Sequence, residues 1–345
     1  MNSSLRDILS TELAIIQAPM AGVQDSALAI AVSNAGGLGS LPCAMLSPDT
    51  LRTELAKLRA GTHKPFNLNF FCHTEPAPDA ARERAWHELL APYYDELGMD
   101  RDAIAGGASR KPFDADIADI VEPFSPAVVS FHFGLPSPAL MARVKAWGST
   151  VLSSATTVTE ALWLEAHGAD AIIAQGLEAG GHRGHFLSTD VTLQAGMFAL
   201  LPQIARAVNI PVIAAGGIAD RDGVAAAFAL GAAGVQIGTS YLLCREATTS
   251  AVHRAALRSA DATHTALTNL FSGGLARGIV NRLMRDLGAI HCAAPPFPLA
   301  SAAIAPLRAA AERNGKGDFS PLWAGQNIAG CKEVGAAELT LELMS

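Results

Sequence analysis

Short apolar segments recur along the first two thirds of the chain, and most are followed by a segment with helical signals. The later apolar segments, such as residues 171–175 and 212–215, are nearly continuous rather than alternating, which is typical of parallel strands buried on both faces. The eight predicted strands cover residues 13–18, 38–41, 66–71, 127–133, 150–154, 171–175, 212–215 and 234–237. This repeat predicts an α/β protein folded as a (β/α)8 TIM barrel. A doubly wound open sheet is the alternative, which the absence of GxGxxG after the first strand disfavours.

Two segments do not follow the repeat. Residues 74–126 are charged and rich in proline, and they predict an insertion with a helix over 80–97. The region after residue 245 predicts mostly helices, at 249–259 and 276–287, without further strand pairs. We therefore expect a barrel domain from residues 1–245 and about 320–345, which carries the insertion, and a smaller helical cap or lid from about 246–319.

Composition excludes several classes of protein. Half of the residues are hydrophobic and 17% are charged, which excludes a disordered chain. The net charge of −7, without a basic cluster, argues against nucleic acid as a partner. The uncharged segment 223–244 is long enough to cross a membrane, but its glycines and Gln236 instead favour a helix, a turn and a buried strand.

The five cysteines are far apart and form no CxxC pair. This spacing indicates neither a disulfide framework nor a zinc site, and no other residue pattern predicts a metal. Free buried thiols are typical of a reducing compartment, so we expect a cytoplasmic protein.

Glycine-rich loops follow the last two predicted strands. Gly216 and Gly217 follow one strand, and Gly238 follows the other. Glycine lets backbone N–H groups approach an anion closely, and the loops after the seventh and eighth strands form the usual phosphate site of a barrel. The spacing therefore predicts phosphate binding, the alternative being tight turns without a ligand.

The loop after the sixth strand, residues 175–185, has the sequence QGLEAGGHRGH. It combines an amide, a carboxylate, two histidines and an arginine with four glycines, which is typical of a ligand-binding loop. His182 is the candidate general base, because an unperturbed imidazole titrates near neutral pH. The alternative is a surface histidine in a mobile loop, and His185 is the weaker candidate.

Other strand ends carry further candidates. Met20 and Ala21 follow the first strand, in a turn against which a planar ring could lie. Asn69 lies near the end of the third strand, and His132 ends the fourth between two phenylalanines. His132 could equally be a core residue, and neither a GxSxG elbow nor a P-loop is present.

These motifs resemble the nitronate monooxygenases, formerly called 2-nitropropane dioxygenases. The resemblance covers residues 12–245 and resumes at 322–326, and the EAGGHRG run is its most specific part. Together with FHFG at 131–134, that run resembles the first class of the family. The motifs that carry it are QAPMAG at 17–22, AGGLG at 35–39, QGLEAGGHRG at 175–184 and AGGI at 215–218.

The resemblance implies an FMN-containing barrel enzyme that oxidises a nitronate with O2 to a carbonyl compound and nitrite, without consuming a nicotinamide. His182 would be the catalytic histidine, and His132 and His182 would contact the substrate. The physiological nitronate stays open between propionate 3-nitronate and small alkyl nitronates, and so does the oligomeric state, including a homodimer. The implied FMN-binding residues are Met20, Ala21, Asn69, Gln175, Gly180, Gly216, Gly217, Gln236, Ile237, Gly238 and Thr239.

Two alternative functions share the same scaffold. One is an FMN-dependent NAD(P)H reductase acting on enoyl thioesters or quinones, and the other is a flavin-binding protein without catalysis. The sequence also departs from the family pattern at residues 272–277, SGGLAR, where Gly274 stands in place of the arginine expected in a Ser/Thr-Gly-Arg motif. Substrate size and selectivity are the properties that this departure and the insertion would affect.

Overall fold

A computed structural model describes residues 5–100 and 110–345. These residues form two β-sheets. The strands are β1 (Ile15–Gln17), β2 (Gly39–Pro42), β3 (Phe66–Phe71), β4 (Val128–His132), β5 (Thr150–Ala155), β6 (Ala171–Gln175), β7 (Gly181–His182), β8 (Val212–Ala215), β9 (Gly234–Ile237), β10 (Thr265–Thr268) and β11 (Ala276–Ile279). Eight of them form a parallel sheet in the order β1-β9-β8-β6-β5-β4-β3-β2, and the other three form the sheet β10-β11-β7.

The parallel sheet closes on itself between β1 and β2. Ile16 and Leu38 form a parallel bridge there, and the Gln17 backbone N–H donates to the Leu38 carbonyl at 2.9 Å. The Gln17 side chain extends the contact, because its Oε1 accepts from the Ser40 backbone N–H at 3.0 Å. The predicted TIM barrel is therefore confirmed, and the open doubly wound sheet is excluded.

Helices follow most of the strands, as the repeat predicts, and cover the outside of the barrel. Ser47 caps one of them by accepting from the Thr50 backbone N–H at 3.2 Å, and Pro48 occupies the first helical position. Segment 223–244 contains the end of a helix, a turn and a buried strand, so that prediction is also confirmed. The helices are α1 (Leu5–Leu9), α2 (Ser26–Asn34), α3 (Pro48–Gly61), α4 (Ala80–Glu96), α5 (Ala115–Val121), α6 (Pro138–Ala146), α7 (Val158–Ala166), α8 (Met197–Ala207), α9 (Arg221–Ala229), α10 (Ala251–Arg258), α11 (Arg282–Leu287), α12 (Ser301–Arg313) and α13 (Ala336–Met344).

Across residues 5–100 and 110–345, no helix combines the length and the apolar character that crossing a bilayer requires.

The short helix α1 closes the amino-terminal end of the barrel. Leu5 and Leu9 are each 1% exposed and pack with Ile16, Leu152 and Ile213 from the barrel interior. Five residues are too few for a periodic signal, so the sequence did not predict this helix.

The region after residue 245 contains a strand pair, so the prediction of a mostly helical region without further strand pairs is wrong there. β10 and β11 are antiparallel, and the predicted helix over 276–287 divides into β11 and α11. Ala276 and Arg277 pair on their other side with β7, which a helix could not do. Asn281 then starts α11 by accepting from the Met284 backbone N–H at 3.3 Å.

The insertion packs against both parts of the molecule, because α4 packs against the cap whereas α5 packs against the barrel beside α3 and α6. The predicted helix over 80–97 is confirmed as α4, in which Trp86 Nε1 donates to the Ala300 carbonyl at 3.3 Å and the Tyr94 hydroxyl donates to the Ala303 carbonyl at 2.6 Å. Trp86 also shares a buried core with Ile304 and Leu307. The division into a barrel and a cap is our proposal, and these contacts assign α4 to the cap.

We predict that Leu9→Ala lowers the free energy of unfolding by about 2–5 kcal/mol, because the truncation leaves a cavity beneath the barrel. Denaturation with urea measures this loss. Leu341→Ala is the matched control, since Leu341 is 55% exposed. Equal small effects of both substitutions would contradict the assigned role of α1.

Candidate functional site

One large cavity lies at the carboxyl ends of the barrel strands, beneath the cap. It contains about 1390 Å³ of empty space, including its open mouth, which is ample for a cofactor and a small substrate. His185 does not line it. The residues that were singled out from the sequence and that line the cavity are Met20, Ala21, Asn69, His132, Gln175, Gly180, His182, Gly216, Gly217, Gln236, Ile237, Gly238 and Thr239.

Glycines shape one end of the cavity into a cradle for an anion. Gly216 and Gly217 have φ values of 122° and 74°, which only glycine adopts readily. A Cβ on Gly216 would also lie 2.9 Å from the Ala179 nitrogen. Among the residues that the structure describes, no acceptor takes the backbone N–H groups of Gly217 and Gly238. These donors and the following helix α9 suit a phosphate.

The C-terminal segment braces this cradle from outside. Asn327 Nδ2 donates to the Gly217 carbonyl at 3.0 Å, and the Gly325 backbone N–H donates to Thr239 Oγ1 at 2.9 Å. Residue 325 must be a glycine to reach this position, because a Cβ there would lie 2.7 Å from the Glu178 carbonyl oxygen. Residues near the end of the chain thus fix both loops of the cradle.

The middle of the cavity suits a flat ring with a polar edge. A Cβ on Gly238 would lie 3.3 Å from Ala18 Cβ and 3.7 Å from Met20 Sδ, so a small residue is needed beside this wall. Asn69 Nδ2 donates to Ser130 Oγ at 2.9 Å. Gln236 Oε1 is buried and has no hydrogen-bond partner in the described part of the chain. Gln236 therefore offers an acceptor to a ligand that donates a hydrogen bond.

Gln175 holds both sides of the loop that carries His182. Its Nε2 donates to the His182 carbonyl at 2.9 Å, and its Oε1 accepts from the Gly184 backbone N–H at 2.7 Å. Arg183, which is fully buried, donates to the Gln175 and Gly176 carbonyls at 2.8 and 2.7 Å. Gln175 lines the cavity as expected, and it also fixes the backbone of this glycine-rich loop.

His132 supports the same backbone. Its Nε2 lies 3.2 Å from the His182 carbonyl oxygen, and its Nδ1 lies 3.1 Å from Ser154 Oγ. A carbonyl oxygen can only accept, so Nε2 carries the hydrogen and Nδ1 accepts from the Ser154 hydroxyl. Burial lowers the pKa of His132 to about 4. His132 is therefore neutral at pH 7, with both ring nitrogens hydrogen-bonded inside the protein.

The His182 ring lies among aromatic side chains. Its centroid is 5.1 Å from that of Phe297 and 5.5 Å from that of Trp323, and its Nε2 is 2.7 Å from Ser272 Oγ. Burial lowers the pKa of His182 well below its ordinary value, and the positive charge of Arg110 lowers it further. A neutral imidazole with one nitrogen bonded to Ser272 can accept a proton on the other.

Comparison with known proteins identifies the family. A family model described as nitronate monooxygenase matches residues 2–345. The chain belongs to the nitronate monooxygenase family. It is 44% identical to a nitronate monooxygenase of Paraburkholderia phytofirmans, over 99% of this chain and 93% of the relative. It is 42% identical to one of Pseudomonas aeruginosa, over 100% of this chain and 99% of the relative.

Solved structures agree with this assignment. A nitroalkane oxidase from Streptomyces ansochromogenes superposes with a TM-score of 0.89 at 36% identity, covering 99% of this chain and 96% of that one. FabK from Thermotoga maritima superposes less closely, with a TM-score of 0.69 at 28% identity, over 99% and 95% of the two chains. The resemblance recognised from the sequence is therefore confirmed.

Several residues of this family member's site were not predicted as site residues. Arg110, Phe297 and Trp323 line or adjoin the cavity next to His182, and Ser272 bonds to its ring. Ser272 had a sequence signal in the SGG motif that departs from the family pattern, and Trp323 lies in the run 322–326 where the resemblance resumes. Arg110 and Phe297 come from segments outside the β/α repeat, and nothing local marks them.

We predict that stability falls as the pH decreases from about 6.5 to about 4. The unfolded chain protonates His132 near its ordinary pKa, whereas the folded chain does so only near 4. Stability is therefore complete above pH 6.5 and is lost through that window. Melting temperatures measured from pH 7.5 to 4 should fall less steeply for His132→Gln than for the parent protein. His253, whose pKa is also lowered to about 4, preserves part of the slope.

The control is His63→Gln, because His63 is exposed. It should keep the parent slope, and equal slopes for both variants would contradict the assignment to His132.

Proposed function

We propose that the protein is an FMN-dependent nitronate monooxygenase that oxidises a nitronate with O2 to a carbonyl compound and nitrite. The observation that carries the proposal is the neutral, half-buried ring of His182, held by Ser272 at the wall of a cavity that ends in an anion cradle. Family membership supports the same reaction. A cytoplasmic location, which the free cysteines favour, and a homodimer are the remaining parts of the proposal.

The residues present fit FMN. The unpaired backbone N–H groups of Gly217 and Gly238 would hold its phosphate, and the loop to Thr239 would complete that contact. Gln236 Oε1, buried without a partner, would accept a hydrogen bond from the ring, with Met20 beside it. When bound, FMN supplies the redox chemistry, which protein side chains cannot provide.

His182 would move a proton through Nδ1. Its Nε2 is taken by Ser272 Oγ, and the Ser272 hydroxyl has an acceptor of its own in the Gly274 carbonyl at 3.4 Å. This arrangement assigns the ring hydrogen to Nε2 and leaves the Nδ1 lone pair for the carbon-bound proton of a neutral nitroalkane. The resulting imidazolium would then lie beside the anionic nitronate, which it stabilises.

Aerobic product analysis tests the proposal. The FMN-loaded protein, given a preformed alkyl nitronate or propionate 3-nitronate without any nicotinamide, should yield nitrite and the carbonyl compound in equal amounts. A reductase would instead need NADH or NADPH together with a quinone or an enoyl thioester. Turnover of those mixtures, with no nitrite from either nitronate, would exclude the proposed reaction.

We expect His182→Ala to retain FMN and to lose turnover of neutral nitroalkanes by about 10²–10⁴-fold, since the general base is removed. Steady-state rates with nitroethane measure the loss, and the absorbance of bound flavin checks the loading. His185→Ala is the matched control from the same loop, because His185 does not line the cavity. Undiminished turnover by the His182 variant would rule out this base.

Gly238→Glu should prevent FMN binding, because it places a negative charge and a long side chain at the cradle. Gly238→Ala adds only a Cβ, 3.3 Å from that of Ala18, and should retain the cofactor. The ratio of flavin to protein after purification distinguishes the two variants. A fully loaded glutamate variant would contradict the phosphate assignment.

A further inference from the structure

Arg110 brings a positive charge to the wall of the cavity. Of the residues that line the cavity, it is the one lysine or arginine in the described part of the chain. Its Nη1 is buried and has no hydrogen-bond partner within residues 5–100 and 110–345. No carboxylate in those ranges lies within ion-pair distance of it. A half-buried guanidinium whose Nη1 makes no hydrogen bond in the described part of the chain is costly, so its retention at a cavity wall points to a ligand that pairs with it.

The surroundings of Arg110 strengthen the positive potential. Arg308 is close enough to lower the pKa of Arg110 further, in addition to the effect of burial. Burial also lowers the pKa of the nearby His73, which favours its neutral form. The one acidic residue of the cavity lining, Glu178, uses its carboxylate to accept from the Met197 backbone N–H at 2.9 Å. The one carboxylate of the described cavity lining is therefore already hydrogen-bonded to the backbone.

Arg110 and His182 contact the same aromatic ring. The guanidinium carbon of Arg110 is 5.6 Å from the centroid of Phe297, and the His182 ring is 5.1 Å from it. Gly274 adjoins this ring as well, since a Cβ there would lie 3.2 Å from Phe297 Cβ. The insertion thus brings a guanidinium to the same ring that packs against His182.

We propose that Arg110 binds an oxyanion of the substrate and is the residue that makes this enzyme select anionic nitronates over neutral nitroalkanes. The inference rests on the proposed function for the identity of the substrate. The oxyanion is either the nitronate group itself or a carboxylate elsewhere on the same molecule. In both cases the guanidinium donates a charge-assisted hydrogen bond to an anionic oxygen, and its hydrogen bond to a neutral nitroalkane would be weaker.

Arg110→Met tests the proposal because methionine keeps an unbranched apolar side chain without the charge. We expect KM for ethyl nitronate to rise about 10- to 100-fold, the size of one charge-assisted hydrogen bond, with kcat nearly unchanged. The KM for nitroethane should change less than about threefold, and Arg110→Lys should recover part of the loss. Arg84→Met, on the exposed side of α4, is the control from the same insertion.

Propionate 3-nitronate identifies which oxyanion is bound. A loss with both nitronates supports recognition of the nitronate group, and a loss confined to propionate 3-nitronate supports recognition of the carboxylate. Equal losses for nitronates and nitroethane, or no loss for any of them, would overturn the proposal.

Anion binding gives a readout that does not depend on turnover. The dissociation constants of nitrate and propionate, measured by calorimetry with the FMN-loaded protein, should rise in Arg110→Met and not in Arg84→Met. If the parent enzyme failed to oxidise nitronates but lost anion binding in this variant, the proposed reaction would be wrong while the oxyanion site would stand. Unchanged anion binding would overturn the oxyanion site.

Discussion

The two hydrogen bonds of the Gln175 side chain determine where the backbone of His182 lies. A loop with four glycines has many accessible conformations, and ordering it costs conformational entropy. Gln175 offsets part of that cost by bonding to the backbone of His182 and Gly184, on either side of Arg183. Because Gln175 ends a central strand of the barrel, its position is fixed by the parallel sheet itself. The glycine-rich loop that carries His182 is therefore held in place by strand β6.

Both the barrel and the cap contribute contacts to His182. β11 pairs with β7, so the backbone of His182 is hydrogen-bonded to the barrel on one side and to the cap on the other. Ser272 and Phe297 then reach the ring from the cap. The barrel supplies the glycine cradle, the cap supplies Ser272 and Phe297, and the insertion supplies Arg110. The chemistry proposed for this protein needs both the barrel and the cap, since neither part encloses the cavity alone.

The sequence predicts the barrel and its loops well because each signal there is local. A buried parallel strand such as 171–175 is readable from its own residues, and the glycines at 216 and 217 follow directly from the strand before them. The β7–β11 pairing is different, because it joins two-residue and four-residue segments almost a hundred residues apart. Arg110 likewise reaches the cavity from an insertion with no periodic pattern. Long-range contacts of this kind leave no mark that a single sequence can reveal.

The central claim is that a nitronate, rather than a nicotinamide, delivers electrons to the flavin. An anaerobic absorbance spectrum of the FMN-loaded protein, recorded before and after adding a nitronate and separately NADH or NADPH, tests it most directly. We expect the oxidised flavin bands to bleach with the nitronate alone. Bleaching only with a reduced nicotinamide would contradict the account and indicate the reductase, and a protein that takes up no FMN would contradict the phosphate site itself.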